Sequence, residues 1–201
     1  STRALALATR PAGPSSAAHR TPHPRGAAAR RAAKESLGAG KHRWDKGMRR
    51  VQAARRLVGR TDLGRRPFVA EVLRAAGQKL KVRRKPYAGG VYALFKARGK
   101  LVRVGKALPG DIVLFAKTHD LNGNGRPDDG VTWAGVVEQA RDGRLVFIAH
   151  RAGKVRRMAA SPRRPTTVRD GDDVLNTRLV RWPGAKRSLT AGECLRAIGR
   201  P

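Results

Sequence analysis

ALPGDIVLF (107–115), a polar loop, then VTWAGVVEQARDGRLVFIAH (131–150) is the stretch that decides the fold. DIVLFA is a short apolar run bounded by Pro-Gly on one side and by the polar loop on the other, which is how a buried strand is punctuated. VTWAGVVEQA and RLVFIAH repeat that texture, and the RDG between them is a tight-turn signal, so the pair predicts a β-hairpin. Downstream, KVRRMAA (154–160) and VLNTRLVRW (174–182) are candidates for further strands or for an irregular crossover. Upstream the period changes from two to 3.6. WDKGMRRVQAARRLVGR (44–60) sets Met48, Val51, Ala54, Leu57 and Val58 at helical spacing with Arg on the other faces, and Gly59 ends the run. PFVAEVLRAAG (67–77) is a second helix with Pro67 suited to its first turn, Phe68, Val69, Val72, Leu73 and Ala76 as its buried stripe, and Gly77 as its stop. GGVYALFKARG (89–99) reads as a third, and near the end Thr190 and Glu193 have capping-box spacing before a last helix in which Cys194, Leu195 and Ile198 face inward. Helices first and an antiparallel meander second is an α+β order, not a succession of βαβ units.

The chain has 201 residues, enough for one domain and an accessory segment at roughly 100–200 residues per domain. Residues 1–43 are rich in Ala, Arg, Pro, Ser and Gly without a sustained apolar period and read as a basic disordered arm, leaving 44–201 as the folded domain. His19, His23 and His42 fall in that arm at spacings too irregular for a metal site. No run approaches the ~18–20 apolar residues of a membrane span, and STRALALATR is too short for a signal-peptide core. Because the chain begins without Met, a processed N-terminus stays open. Forty-five Lys and Arg against 14 Asp and Glu give a net charge of +31, which attracts polyanions of any kind, although Arg-rich composition also follows from GC-rich coding. The single cysteine excludes an intramolecular disulfide and any Cys-rich zinc or iron–sulfur site.

The ALPGDIVLF strand, the THDLNGNGRPDDGVTW loop (118–133), the VTWAGVV strand, the hairpin return ending at His150, VLNTRL and the LTAGECLRAIG ending together resemble the NlpC-type and CHAP-type cell-wall cysteine peptidases, over about residues 47–200. The resemblance implies a papain-like fold with N-terminal helices packed on an antiparallel β-meander and a C-terminal helix. It also implies a bacterial envelope or extracellular setting. In that family a DCSG or DCTG tetrapeptide opens the helix that continues here as FVAEVLRAAG, and the helix N-terminus stabilises the thiolate. Those four positions read Gly64, Arg65, Arg66 and Pro67 here, so Arg65 stands at the nucleophile position; shifting the register puts Leu63 there. Trp133 matches the general-base His, and an indole nitrogen donates but accepts no proton. Only His150 matches the third, imidazole-orienting position. With nucleophile and base replaced, the triad's rate collapses as a unit.

Other residues carry weaker signals. Cys194 is the one alternative thiol, but its apolar neighbours read as a packed core position. There is no Gly-x-Ser-x-Gly, and Ser161 and Ser188 read as loop and helix-start residues. The 120–129 loop has two readings. Asp120, Asn122 and Asn124 stand at positions 1, 3 and 5 of a calcium-loop pattern, followed by the Arg126 carbonyl at 7 and Asp128 at 9, with Asp129 as a substitute for the missing acidic residue at position 12. The same Asx and Gly residues also build metal-free turns through their own hydrogen bonds. His119, beside the loop, reads as exposed. KLKVRRK (79–85) and KVRR (154–157) read as a solvated basic face or as non-specific phosphate contacts, while aromatic residues at 4% leave few stacking platforms for sequence-specific nucleic-acid recognition.

The first expectation is therefore a catalytically inactive peptidase-like domain whose cleft, around Arg65, Arg66, Trp133 and His150, binds peptidoglycan, through a stem-peptide carboxylate, or a protein partner. In it Arg65 stacks on Trp133 and plugs the old site. The second is a polyanion-binding or assembly component that uses the arm and the basic surface on DNA or another polymer. The third is a hydrolase with unconventional catalytic residues. Beyond the candidate calcium ion, no cofactor is expected.

Overall fold

The structure is a computed structural model that describes residues 24–63, 66–82 and 87–201. In chain order its elements are α1 (Pro24–Leu57), α2 (Phe68–Ala75), α3 (Tyr87–Ala97), β1 (Leu101–Val102), a 3₁₀ turn (Val104–Lys106), β2 (Ile112–Ala116), β3 (Val131–Arg141), β4 (Arg144–Arg151), β5 (Lys154–Ala160), β6 (Arg169–Asp170), β7 (Asp173–Val174), β8 (Arg178–Val180), β9 (Leu189–Thr190), α4 (Ala191–Cys194) and β10 (Leu195–Gly199). It is an α+β arrangement with a six-stranded sheet in the order β1-β10-β2-β3-β4-β5, every neighbour antiparallel, and two small two-stranded pairs, β6-β7 and β8-β9.

The hairpin at 131–150 forms as its sequence directs. Asp142 and Gly143 have φ of 51° and 75°, so both central residues are left-handed, the geometry whose twist matches that of the flanking strands. Strand alternation then splits the core in two. Ile112, Leu114, Ala134, Val136 and Ile148 meet Ala54, Leu57, Phe68, Val72, Leu73, Val91 and Phe95 of the first three helices. Val113, Phe115, Trp133, Val137, Phe147 and Ala149 point to the other face and pack with Leu179, Ala191, Cys194 and Ile198.

Polar clamps fix these layers. Glu138, 5% exposed on β3, accepts from Arg55 Nε of α1 at 2.5 Å and from Arg157 Nε of β5 at 2.8 Å. Burial pushes its carboxyl up, but the two guanidinium groups outweigh burial and hold it below its ordinary value. The Pro-Gly-Asp turn before β2 is tied on both sides. Asp111 accepts Leu108 N–H and a two-pronged pair from Arg200 at 3.0 and 2.8 Å, and Arg50 Nε donates to the Gly110 carbonyl at 2.7 Å. Asn176 organises the crossover after β5: its Oδ1 accepts from Ser161 N–H, and its Nδ2 donates to the Arg164 and Thr167 carbonyls.

Two elements differ from the sequence reading. α1 begins at Pro24, not at Trp44, so residues 24–43 of the expected disordered arm are helical; residues 1–23 lie outside the described residues. Residues 34–46 are exposed, so this part shows no buried stripe, and its Ala, Lys, Arg and Leu content supports helix by propensity alone. The chain divides into residues 1–39 and a compact unit of residues 40–201. The expected C-terminal helix is a single turn. The Thr190–Glu193 capping box is present, yet after Cys194 the chain straightens into β10 and pairs with β1 and β2. Backbone pairing between two waiting strands prevails there over a local helix start.

Candidate functional site

A cleft of about 210 Å³ opens between the helices and the sheet, lined by Pro67, Phe68 and Val69 at the start of α2, Tyr87 and Ala88 at the start of α3, Thr132, Trp133 and Ala134 of β3, and His150 of β4. The starts of α2 and α3, β3 and β4 thus converge on one cleft, and of the expected site residues it brings Trp133 and His150 together. Pro67 opens α2 with φ −58° and ψ 141°, and no side chain caps the helix. Arg65 lies outside the described residues. Arg66 is exposed, and its guanidinium approaches Glu71 in the first turn of α2 at 3.8 Å.

Trp133 borders the cleft, but its ring belongs to the second core. The indole packs 4.9 Å from the Phe115 ring and 5.9 Å from that of Phe147, and its Nε1 donates to the His150 carbonyl at 2.9 Å. Among the described residues the guanidinium over it is that of Arg151, 5.4 Å from the ring centroid; the expected stack of Arg65 on Trp133 lies outside the described residues. Arg151 also donates to the Leu179 carbonyl. Trp133 therefore lines the cleft while its ring packs in the second core.

His150 occupies the sheet side of the cleft. Its Nε2 is buried and finds no hydrogen-bond partner among the described residues. Two residues that the sequence reading did not single out complete the walls. Tyr87 is half-buried, and burial raises its phenol above the usual value. Thr132 bonds through its hydroxyl to Thr118 Oγ1 at 2.6 Å, and Thr118 Oγ1 lies 3.0 Å from His119 Nδ1. His119 is exposed, as expected; burial of part of its ring and the charge of Arg151 hold its imidazole below the ordinary value. Strand alternation was the available signal for Thr132, since it shares a parity with Ala134 and Val136. Tyr87 had none, because only tertiary packing brings the start of α3 to β3.

Cys194 lies elsewhere. It is 1% exposed within the second core, and burial pushes its thiol up to about 11, with Glu193 adding to the rise and Lys117 and Arg151 opposing it. A protonated thiol surrounded by apolar side chains is a packing group, not a nucleophile.

The 120–129 loop is closed by its own bonds. Asp120 accepts the backbone N–H groups of Gly123, Asn124 and Gly125 at 2.7, 3.2 and 2.7 Å. Asp129 accepts Leu121 N–H at 2.6 Å, Asn122 Oδ1 accepts Asn124 N–H, and Asn124 Oδ1 accepts Arg126 N–H. Asp128 accepts the Asn124 amide at 3.0 Å and the Asn122 amide at 3.5 Å. Among the described residues no three His, Cys, Asp or Glu side chains gather as a metal-holding group.

Comparison with protein-family models, with curated proteins and with solved structures found no match for this chain.

Proposed function

We propose that the chain carries a catalytically inactive, papain-like domain of the NlpC and CHAP kind, whose cleft binds the carboxylate end of a peptidoglycan stem peptide. The observation that carries this reading is His150, whose Nε2 is buried without a hydrogen-bond partner among the described residues and which lines a cleft shared with Phe68, Tyr87, Ala88, Thr132 and Trp133. A buried polar atom left without a partner costs free energy that a ligand's hydrogen bond restores. Size sharpens the choice of ligand. At about 210 Å³ the cleft is smaller than the roughly 300–1,000 Å³ of a drug-sized site, so it admits one terminal residue of a peptide and not a glycan strand. The chain's one cysteine is buried in the other core, which leaves the cleft without a thiol from any described residue.

A polyanion-binding role for the +31 chain is the second reading, favoured by the exposed Lys79, Lys81, Lys154 and Arg156. Calcium in the 120–129 loop would use Asp120, Asp128 and Asp129 with the Asn122 and Asn124 amides turned to present oxygen. Among the described residues no helix is long and apolar enough to cross a membrane.

Titration of the full chain with soluble muropeptides, with and without an amidated peptide carboxylate, tests the proposal. Binding of the free carboxylate form, weakened about tenfold by His150→Ala, is expected. Equal binding of the amidated form, or indifference to His150→Ala, contradicts the carboxylate assignment. Steady muropeptide cleavage contradicts inactivity.

A further inference from the structure

A second cavity, about 460 Å³, lies at the turn end of the β3–β4 hairpin, at the other end of these strands from the His150 cleft. Its charged lining is Arg141, Arg144 and Arg163, with Asp142 the one carboxylate, and Val104, Ala107 and Leu145 supply an apolar wall. The carboxylates within reach leave the guanidinium groups largely uncompensated. Asp142 meets Arg141 at 3.3 Å, with both side chains almost fully exposed, and Asp173 meets only Nη1 of Arg144, also at 3.3 Å. Arg163 forms no ion pair among the described residues, and its stem lies over Gly143, where a Cβ would come within 2.8 Å of Arg163 Cδ. Arg144 Nε is buried and makes no hydrogen bond among the described residues.

A buried guanidinium N–H facing no acceptor is costly, and Arg presents its donors as a planar fork suited to oxyanions. We propose that this cavity is an anion site for a phosphate group carried on a small organic molecule, with Arg144 and Arg163 holding the phosphate and the Val104, Ala107 and Leu145 wall covering the organic part. The volume falls within the roughly 300–1,000 Å³ of small-molecule sites, which is larger than a bare phosphate needs. This site is independent of the His150 cleft, and neither stands or falls with the other.

The test is calorimetric titration of the full chain with adenosine monophosphate, with inorganic phosphate and with adenosine, at about physiological ionic strength, where long-range surface attraction is screened. Adenosine monophosphate should bind with one site per chain, inorganic phosphate more weakly, and adenosine not at all. Arg163→Gln, at an exposed position, should weaken adenosine monophosphate at least about tenfold, as should Arg144→Gln, while His150→Ala leaves it unchanged. Absence of binding by both phosphate probes overturns the site. So does binding that Arg163→Gln leaves intact, which would assign the affinity to general surface charge.

Discussion

Glu193 shows how single residues hold this arginine-rich chain in order. Arg187 grips both of its oxygens at 2.7 Å, Thr190 N–H donates to it at 3.0 Å, and against burial these bonds bring its carboxyl down to about 2 from an ordinary 4.5. A carboxyl whose folded pKa is depressed contributes stability that is fully present above its unfolded value. That stability is lost as pH falls from about 4.5 toward about 2. Glu193→Gln should therefore lower unfolding stability by on the order of 2 kcal/mol at neutral pH and flatten the acid limb of the stability curve. Denaturant melts of both proteins across that range check it; a gap between them that stays constant down to about pH 2 contradicts the linkage. Asn176, fully buried with partners on all of its bonds, and Glu138, between Arg55 and Arg157, do the same work at the crossover and across the sheet.

Between elements, a close backbone approach brings α1 to the Pro-Gly-Asp turn. A Cβ at Gly47 would stand 2.5 Å from the Pro109 carbonyl oxygen, and one at Gly110, whose φ is +86°, would stand 2.3 Å from the Gly47 oxygen. Gly47→Ala should cost about 1–3 kcal/mol despite the better helix propensity of Ala, because backbone must move to admit the methyl group. A melting temperature raised by Gly47→Ala would show that the contact is not there. Much of this level was legible in the sequence. The 131–150 hairpin, its Asp142-Gly143 turn, α2, α3 and the Thr190–Glu193 cap all follow from short-range chemistry. β10 did not, since Cys194, Leu195 and Ile198 suit either a helix stripe or a strand, and pairing with β2 decides between them. The exposed stretch of α1 from residue 34 to 43 escaped because it has propensity without a stripe. The cleft was legible in part: His150 could be placed from its strand and the face of Trp133 follows from alternation with Val137, whereas the packing of its ring between Phe115 and Phe147 depends on which strands become neighbours.

At the scale of the whole molecule, 14 carboxylates cannot neutralise 45 basic side chains. The buried carboxylates are spent on structural pairs: Asp111 with Arg200, and Glu138 with Arg55 and Arg157. The surplus of +31 favours non-specific attraction of polyanions, and affinity of that kind would fall steeply as salt rises because it depends on counterion release. Binding through the cleft, as proposed, would rest on a short-range hydrogen bond and be far less sensitive to salt. The two readings of function separate on that difference. The most direct measurement is co-sedimentation of the full chain, and of a chain lacking residues 1–39, with purified peptidoglycan and with duplex DNA over a salt series from about 0.05 to 0.5 M. The cleft account expects peptidoglycan to retain both proteins at the highest salt while DNA releases them. Release from both polymers together, or loss of peptidoglycan binding with residues 1–39, would contradict it and assign binding to charge.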